Sequence, residues 1–173
     1  MKYFIYIMAT LFCPMIVFCQ DITGLWKGTM INDSTKQSLQ YEVVISKDNG
    51  KYTGFSQTWF LINEKKYYGV KKINVRVAKD GKIIMQDAAM IDNNYPILRD
   101  KDVFQLNVLD LANHGDETIL DGLFVTNRTK DHNDLTGHIN IKRVSAVSSP
   151  ISKIDLLQYL QKDSRGNNLT VVK

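Results

Sequence analysis

Beyond residue 19 the chain has no cysteine; Cys13 and Cys19 are its only two. A body without cysteine has no disulfides, so its stability must come from an ordinary apolar core. Thiol catalysis, thiol redox work and cysteine-ligated metals are excluded on the same ground. Beyond residue 19 there is also no apolar run long enough to cross a bilayer, which predicts no membrane span in the mature chain. Strong charge of one sign is missing too. The 22 basic and 18 acidic residues leave +4, or +3 once Lys2 is removed. So small an excess gives no warrant for a nucleic-acid partner. No Gly-x-Ser-x-Gly elbow, phosphate loop or dinucleotide fingerprint is present.

The first thing present is a leader. Met1-Lys2 precedes an apolar stretch that ends in Val17-Phe18-Cys19. This reads as a secretory signal peptide over 1–19, cut after Cys19, and predicts a periplasmic or secreted product. Two alternatives stay open: an uncleaved membrane anchor, against which Pro14 argues, and lipidation of Cys19. The remaining length, about 150 residues, suits one domain.

From Gly24 onward, strand-like segments alternate with turn signals. Strands are expected over 24–31, 39–47, 52–62, 66–78, 83–91, 103–111, 118–129 and 135–144. Asp48-Asn49-Gly50 and Asp80-Gly81 are strong hairpin signals. Five strands carry an internal glycine, namely Gly28, Gly54, Gly69, Gly122 and Gly137. Glycine weakens a strand interior, so its recurrence points to sharp bends or close backbone approach in a sheet that curls on itself. The expected fold is all-β: an eight-stranded antiparallel up-and-down barrel over 20–144, closed so that no edge is left bare. A linker over 145–150 should lead to an amphipathic C-terminal helix over 151–162, with Ile151, Ile154, Leu157 and Leu160 on one face. A short terminal strand over 169–172 would follow.

Gly24-Leu25-Trp26 at the entry of the first strand resembles the Gly-x-Trp motif of lipocalins and their calycin relatives. The eight strands, the helix and final strand after them, and Arg143 at the end of the eighth strand fit the same pattern. The resemblance implies a bacterial exported barrel in which Arg143 lies across Trp26, and a non-catalytic role in holding a small, largely apolar molecule.

Side chains of one parity share a face of a strand. With Trp26 inward, the interior should hold Gly28, Met30, Tyr41, Val43, Ile45, Tyr52, Ser56, Thr58 and Phe60. Ile73, Val75, Val77, Leu120, Phe124, Leu135, Ile139 and Ile141 should join them. From this set Tyr41, Val43, Tyr52, Ser56, Thr58, Phe60 and Phe124 are the candidate ligand-lining residues. An interior plugged by Tyr41, Tyr52, Phe60 and Phe124 would instead make a filled barrel, a structural or protein-interaction module of the cell envelope. Phe55, Trp59 and Leu61 carry the opposite parity. They are a seat for the C-terminal helix, part of the core if the register is flipped, or a patch for an envelope protein partner.

Other candidates carry less chemistry. His114 and His132 are expected in loops at one end of the barrel, beside Asp116, Asp131 and Asp134, but without tight ligand spacing; no metal and no cofactor is expected. The strand carboxylates Glu42, Asp87 and Asp121 alternate with apolar neighbours and are expected to face outward, and no catalytic residue is assigned. Lys65, Lys66, Lys71, Lys72, Arg76 and Lys79 read as a solvated basic face on and beside the fourth strand.

Overall fold

The structure is a computed structural model and describes residues 21–95, 103–130 and 133–144. It contains eight strands: β1 (Gly24–Asn32), β2 (Ser38–Asp48), β3 (Lys51–Ile62), β4 (Lys65–Val77), β5 (Ile83–Asn93), β6 (Gln105–His114), β7 (Glu117–Thr126) and β8 (Thr136–Arg143). They pair in chain order and close into a barrel when β8 returns to β1. The expected leader, linker, C-terminal helix and terminal strand lie outside the described residues.

Turn chemistry sets the strand boundaries. Asn49 and Gly50 both take positive φ, 48° and 79°, the backbone that a two-residue hairpin needs to match strand twist. Two of the strand glycines show why the barrel needs them. A Cβ on Gly28 would lie 2.1 Å from the Asn140 carbonyl oxygen, and one on Gly137 would lie 2.0 Å from that of Ile31. Neighbouring backbone occupies the space that any side chain would take. The β8–β1 seam that closes the barrel thus carries a glycine on each of its strands.

One end of the barrel is closed. Trp26 is fully buried there, and its Nε1 donates to the Ile22 carbonyl at 3.0 Å. Arg143, directly opposite Trp26 in the β1–β8 register, holds its guanidinium 4.8 Å from the indole centroid and donates to the Asp21 carbonyl. Such a cation over an indole adds about 0.5–2 kcal/mol. Above this cap one continuous core fills the lumen, including Val43, Ile45, Ile73, Ile83, Met85, Leu109, Leu120, Ile139 and Ile141. Each large side chain buried in this way contributes about 1.5–3 kcal/mol.

The inward parity holds along most strands, with two exceptions. Val77 and Leu135 are exposed, because Val77 is the last residue of β4 and Leu135 precedes β8. At the rim, inward parity faces water. A second cluster, Leu25, Val44, Phe55 and Val70, is buried on the outward parity, with Tyr68, Ile91 and Val144 packed against it. Phe55 is 1% exposed, Trp59 is half-buried with the Lys66 ammonium 5.3 Å from its ring centroid, and Leu61 is 62% exposed.

The opposite outer wall is different. Ile84, Val108, Leu123, His138 and Ile31 lie side by side across five strands, and Leu106 and Val125 form the next rung. Leu123 is 63% exposed.

Candidate functional site

The β1–β2, β3–β4, β5–β6 and β7–β8 connections gather at the end opposite Trp26, and the lumen changes character toward it. Tyr41 on β2 marks the change. Its hydroxyl accepts from Asn107 Nδ2 on β6 at 3.2 Å and is hydrogen-bonded to Ser56 on β3. In a closed eight-strand order β2 and β6 stand opposite each other, so the Tyr41–Asn107 bond crosses the lumen. Below it apolar side chains fill the barrel; at its level and above, the polar side chains of Asn107, Gln105 and Asp87 join the lining beside Met30, Leu39 and Phe124.

Asn107 is 1% exposed, and its Oδ1 accepts from Gln105 Nε2 at 2.7 Å. The Gln105 backbone N–H donates to Asp87 Oδ2 at 2.9 Å, and the same oxygen takes the Lys71 ammonium at 2.5 Å. Lys71 also donates to the Val103 carbonyl at 3.2 Å. A single polar chain therefore runs from β4 through β5 and β6 to β2. Buried polar groups persist when each finds a partner, and these do.

The local backbone explains why the chain sits here. β5 pairs with β6 only over Ile83–Gln86, against Leu106–Leu109. At the next position Asp87 supplies a carboxylate where a ladder carbonyl would otherwise receive the Gln105 N–H. Register shifts between β4 and β5 on either side of Lys71–Lys72 bend the strands at the same level. Asp87 and Lys71 stitch the opening with side chains.

Burial pushes the Asp87 carboxyl above its ordinary range, against the opposing pull of the Lys71 charge and the hydrogen bonds from Lys71 and the Gln105 N–H. Burial also pushes the Tyr41 phenol up, and the Asp87 charge adds to the effect, while the bonds to Ser56 and Asn107 work the other way. Tyr41 is thus held protonated. The chemistry on offer is hydrogen bonding by a nearly neutral set.

An aromatic rim stands above the polar layer. Phe60 stacks on Tyr67 with centroids 6.0 Å apart and tilts against Tyr95 at 5.3 Å, within the usual range for favourable ring pairs. Gly69 makes room for it: a Cβ there would lie 2.0 Å from the Tyr95 hydroxyl. Tyr95, from the start of the β5–β6 connection, thereby leans over the mouth.

The expected ligand-lining residues separate along the barrel axis. Val43 belongs to the packed closed half, and Tyr52 sits near its turn with Lys47 4.9 Å from its ring. Tyr41, Ser56 and Phe124 lie at the middle, and Thr58 and Phe60 lie toward the mouth. Two expectations are overturned. Asp87 is not an outward carboxylate but is 6% exposed inside the barrel, because it shares the parity of Ile83 and Met85. Lys71 leaves the basic face for the lumen, because it shares the parity of Ile73 and Val75.

Gln105, Asn107, Tyr67 and Tyr95 were not singled out from the sequence. For the first two a signal existed, since they alternate in phase with Leu109. The turn carrying His114 and the β7–β8 connection lie at opposite ends of the barrel, because one strand separates them and not a pair; His132 itself lies outside the described residues. Among the described residues no group of three or more metal-ligating side chains gathers, and no helix is long and apolar enough to cross a membrane. Compared with known protein families, characterised proteins and solved structures, the chain matches none of them.

Proposed function

We propose that this chain is an exported, lipocalin-like protein of calycin type that binds a small, largely apolar molecule at the open half of its barrel, without catalysis. The observation that carries the reading is the division of the lumen at Tyr41 and Asn107. A polar floor and an aromatic rim, Phe60, Tyr67 and Tyr95, lie at the end opposite Trp26. Small-molecule sites combine apolar and aromatic walls with a few convergent polar groups in this way. The leader over 1–19 supports export to the periplasm or beyond, with anchoring through that segment as the alternative. The family reading rests on Gly24, Trp26 and Arg143 and on the barrel closed in chain order.

Native mass spectrometry of the mature protein purified from its own host tests the reading. A bound molecule of a few hundred daltons, lost in a Phe60→Ala variant, is expected. A bare protein, together with unchanged amide resonances at the rim when an apolar small-molecule library is added, would overturn it.

A second reading has its own observation. The outward rungs Ile84, Val108, Leu123, Ile31 and Leu106, Val125 expose apolar side chains side by side on one wall. Contiguous exposed apolar surface marks interaction sites, and this wall would serve an envelope protein partner of a filled barrel. Cross-linking in cells that captures a specific protein through Leu123, with no small molecule retained, would favour it.

A further inference from the structure

The Lys71–Asp87 pair is incompletely used. An ammonium has three N–H donors and a carboxylate has two acceptor oxygens. Lys71 spends two donors, on Asp87 Oδ2 and the Val103 carbonyl, and its third finds no acceptor among the described residues. Asp87 receives both of its hydrogen bonds on Oδ2, and its Oδ1 receives none among the described residues. One free donor and one free acceptor therefore sit on two side chains in direct contact, and Lys71 keeps about a fifth of its side chain exposed. The rest of the polar layer is committed to its own chain of bonds from Gln105 to Tyr41.

From this pattern we propose that the bound molecule carries a neutral head group that both donates and accepts, a hydroxyl or a primary carboxamide, which accepts from Lys71 and donates to Asp87. The proposal rests on the small-molecule reading above and specifies its chemistry. Charge decides against the ionic alternatives. The pair is neutral as a unit, so a carboxylate is drawn to Lys71 and repelled by Asp87, and an amine meets the reverse. Neither gain offsets the loss of water around an ion. A bare hydrocarbon leaves both free valences unmade once it displaces water from them. Phe60, Tyr67 and Tyr95 meanwhile offer ring faces and edges to a flat body above the head.

The test uses four probes with one ring system: naphthylmethanol, naphthamide, naphthoate and naphthalene. Each is titrated into the mature protein at neutral pH, with amide resonances of β3, β4 and β5 as the readout. The alcohol and the amide should bind about tenfold tighter or better than naphthoate and naphthalene, the effect expected of hydrogen bonds to charged partners. In Asp87→Asn, which leaves Lys71 as an unpaired cation, the order should invert in favour of naphthoate. A wild-type protein that binds naphthalene or naphthoate as tightly as the alcohol overturns the head-group proposal and leaves the small-molecule reading standing. If no probe shifts the rim resonances at millimolar concentration, the binding reading falls and this proposal falls with it. The wild-type comparison decides the matter even if the variant does not fold.

Discussion

Trp26 and Tyr41 are both large aromatic side chains with almost no exposure, yet the two halves of the barrel hold them differently. Trp26 needs one hydrogen bond, to Ile22, and a cation over its face; otherwise it is held by apolar contact. Tyr41 is held by a bond that spans the lumen to Asn107, and Asn107 depends in turn on Gln105, Asp87 and Lys71. In the closed half the loss of a side chain costs its own packing. In the open half it leaves a partner stranded, and the cost falls on that partner. The closed half supplies stability that many apolar residues could supply, whereas the open half commits particular atoms to particular positions, as a binding site requires.

Four measurements would break or sharpen this contrast. The largest loss is expected for Trp26→Ala, about 3–5 kcal/mol of unfolding free energy in urea or guanidinium. A loss below 1 kcal/mol would mean that the cap is not what closes this end. Asp87→Ala should follow at about 2–4 kcal/mol, set below the usual cost of breaking a buried pair because Lys71 keeps some contact with water. Asp87→Asn, which keeps the shape, should cost clearly less, and equal losses would show that the charge alone, and not the shape of the side chain, matters at the β5–β6 opening.

Tyr41→Phe should cost about 1–3 kcal/mol by stranding the Asn107 amide, and it also carries a pH signature. The folded pKa of Tyr41 lies above its ordinary 10.0, so its contribution is complete below about pH 10. It is lost as pH rises from there toward the folded value, because over that window only the unfolded chain gives up the proton. Unfolding midpoints measured from neutral to strongly alkaline pH should fall more steeply for the wild type than for Tyr41→Phe; parallel curves would refute the burial of the phenol. The smallest effect on folding belongs to Phe60→Ala at the half-buried rim, about 1 kcal/mol or less. The same change should weaken probe binding, and a rim variant that unfolds the barrel while binding normally would reverse the roles assigned to the two halves.

Much of the frame was legible residue by residue. The turns at Asn49-Gly50 and Gly81 ended strands where their φ demands, and observed strand limits fall within three residues of those expected. The strand glycines pointed to close backbone approach, and Gly28 and Gly137 are pressed against carbonyl oxygens of the adjoining strand at the closing seam. The rims and the open half were harder. Val77 at the closed end and Leu135 at the open end follow the inward parity but stand at the rims, and parity knows nothing of where a barrel stops. Asp87 was read as outward because it alternates with apolar neighbours, and Lys71 as part of a solvated basic face, although their phase with Ile83 and Ile73 pointed inside.

What the sequence determined by itself was whatever depends on neighbours along the chain: eight strands, their turns, the alternation of faces, and Trp26 and Arg143 at the two ends of the set. What only the tertiary structure decided was which inward residues meet. Tyr41 and Asn107 are 66 positions apart and touch because closure brings β2 opposite β6. Asp87 tolerates burial because the β5–β6 ladder stops one residue short of it and the Lys71 ammonium from β4 reaches its carboxylate. A charged side chain is assigned to water by its own chemistry, and it can be assigned to a lumen only once its partner has a place in space.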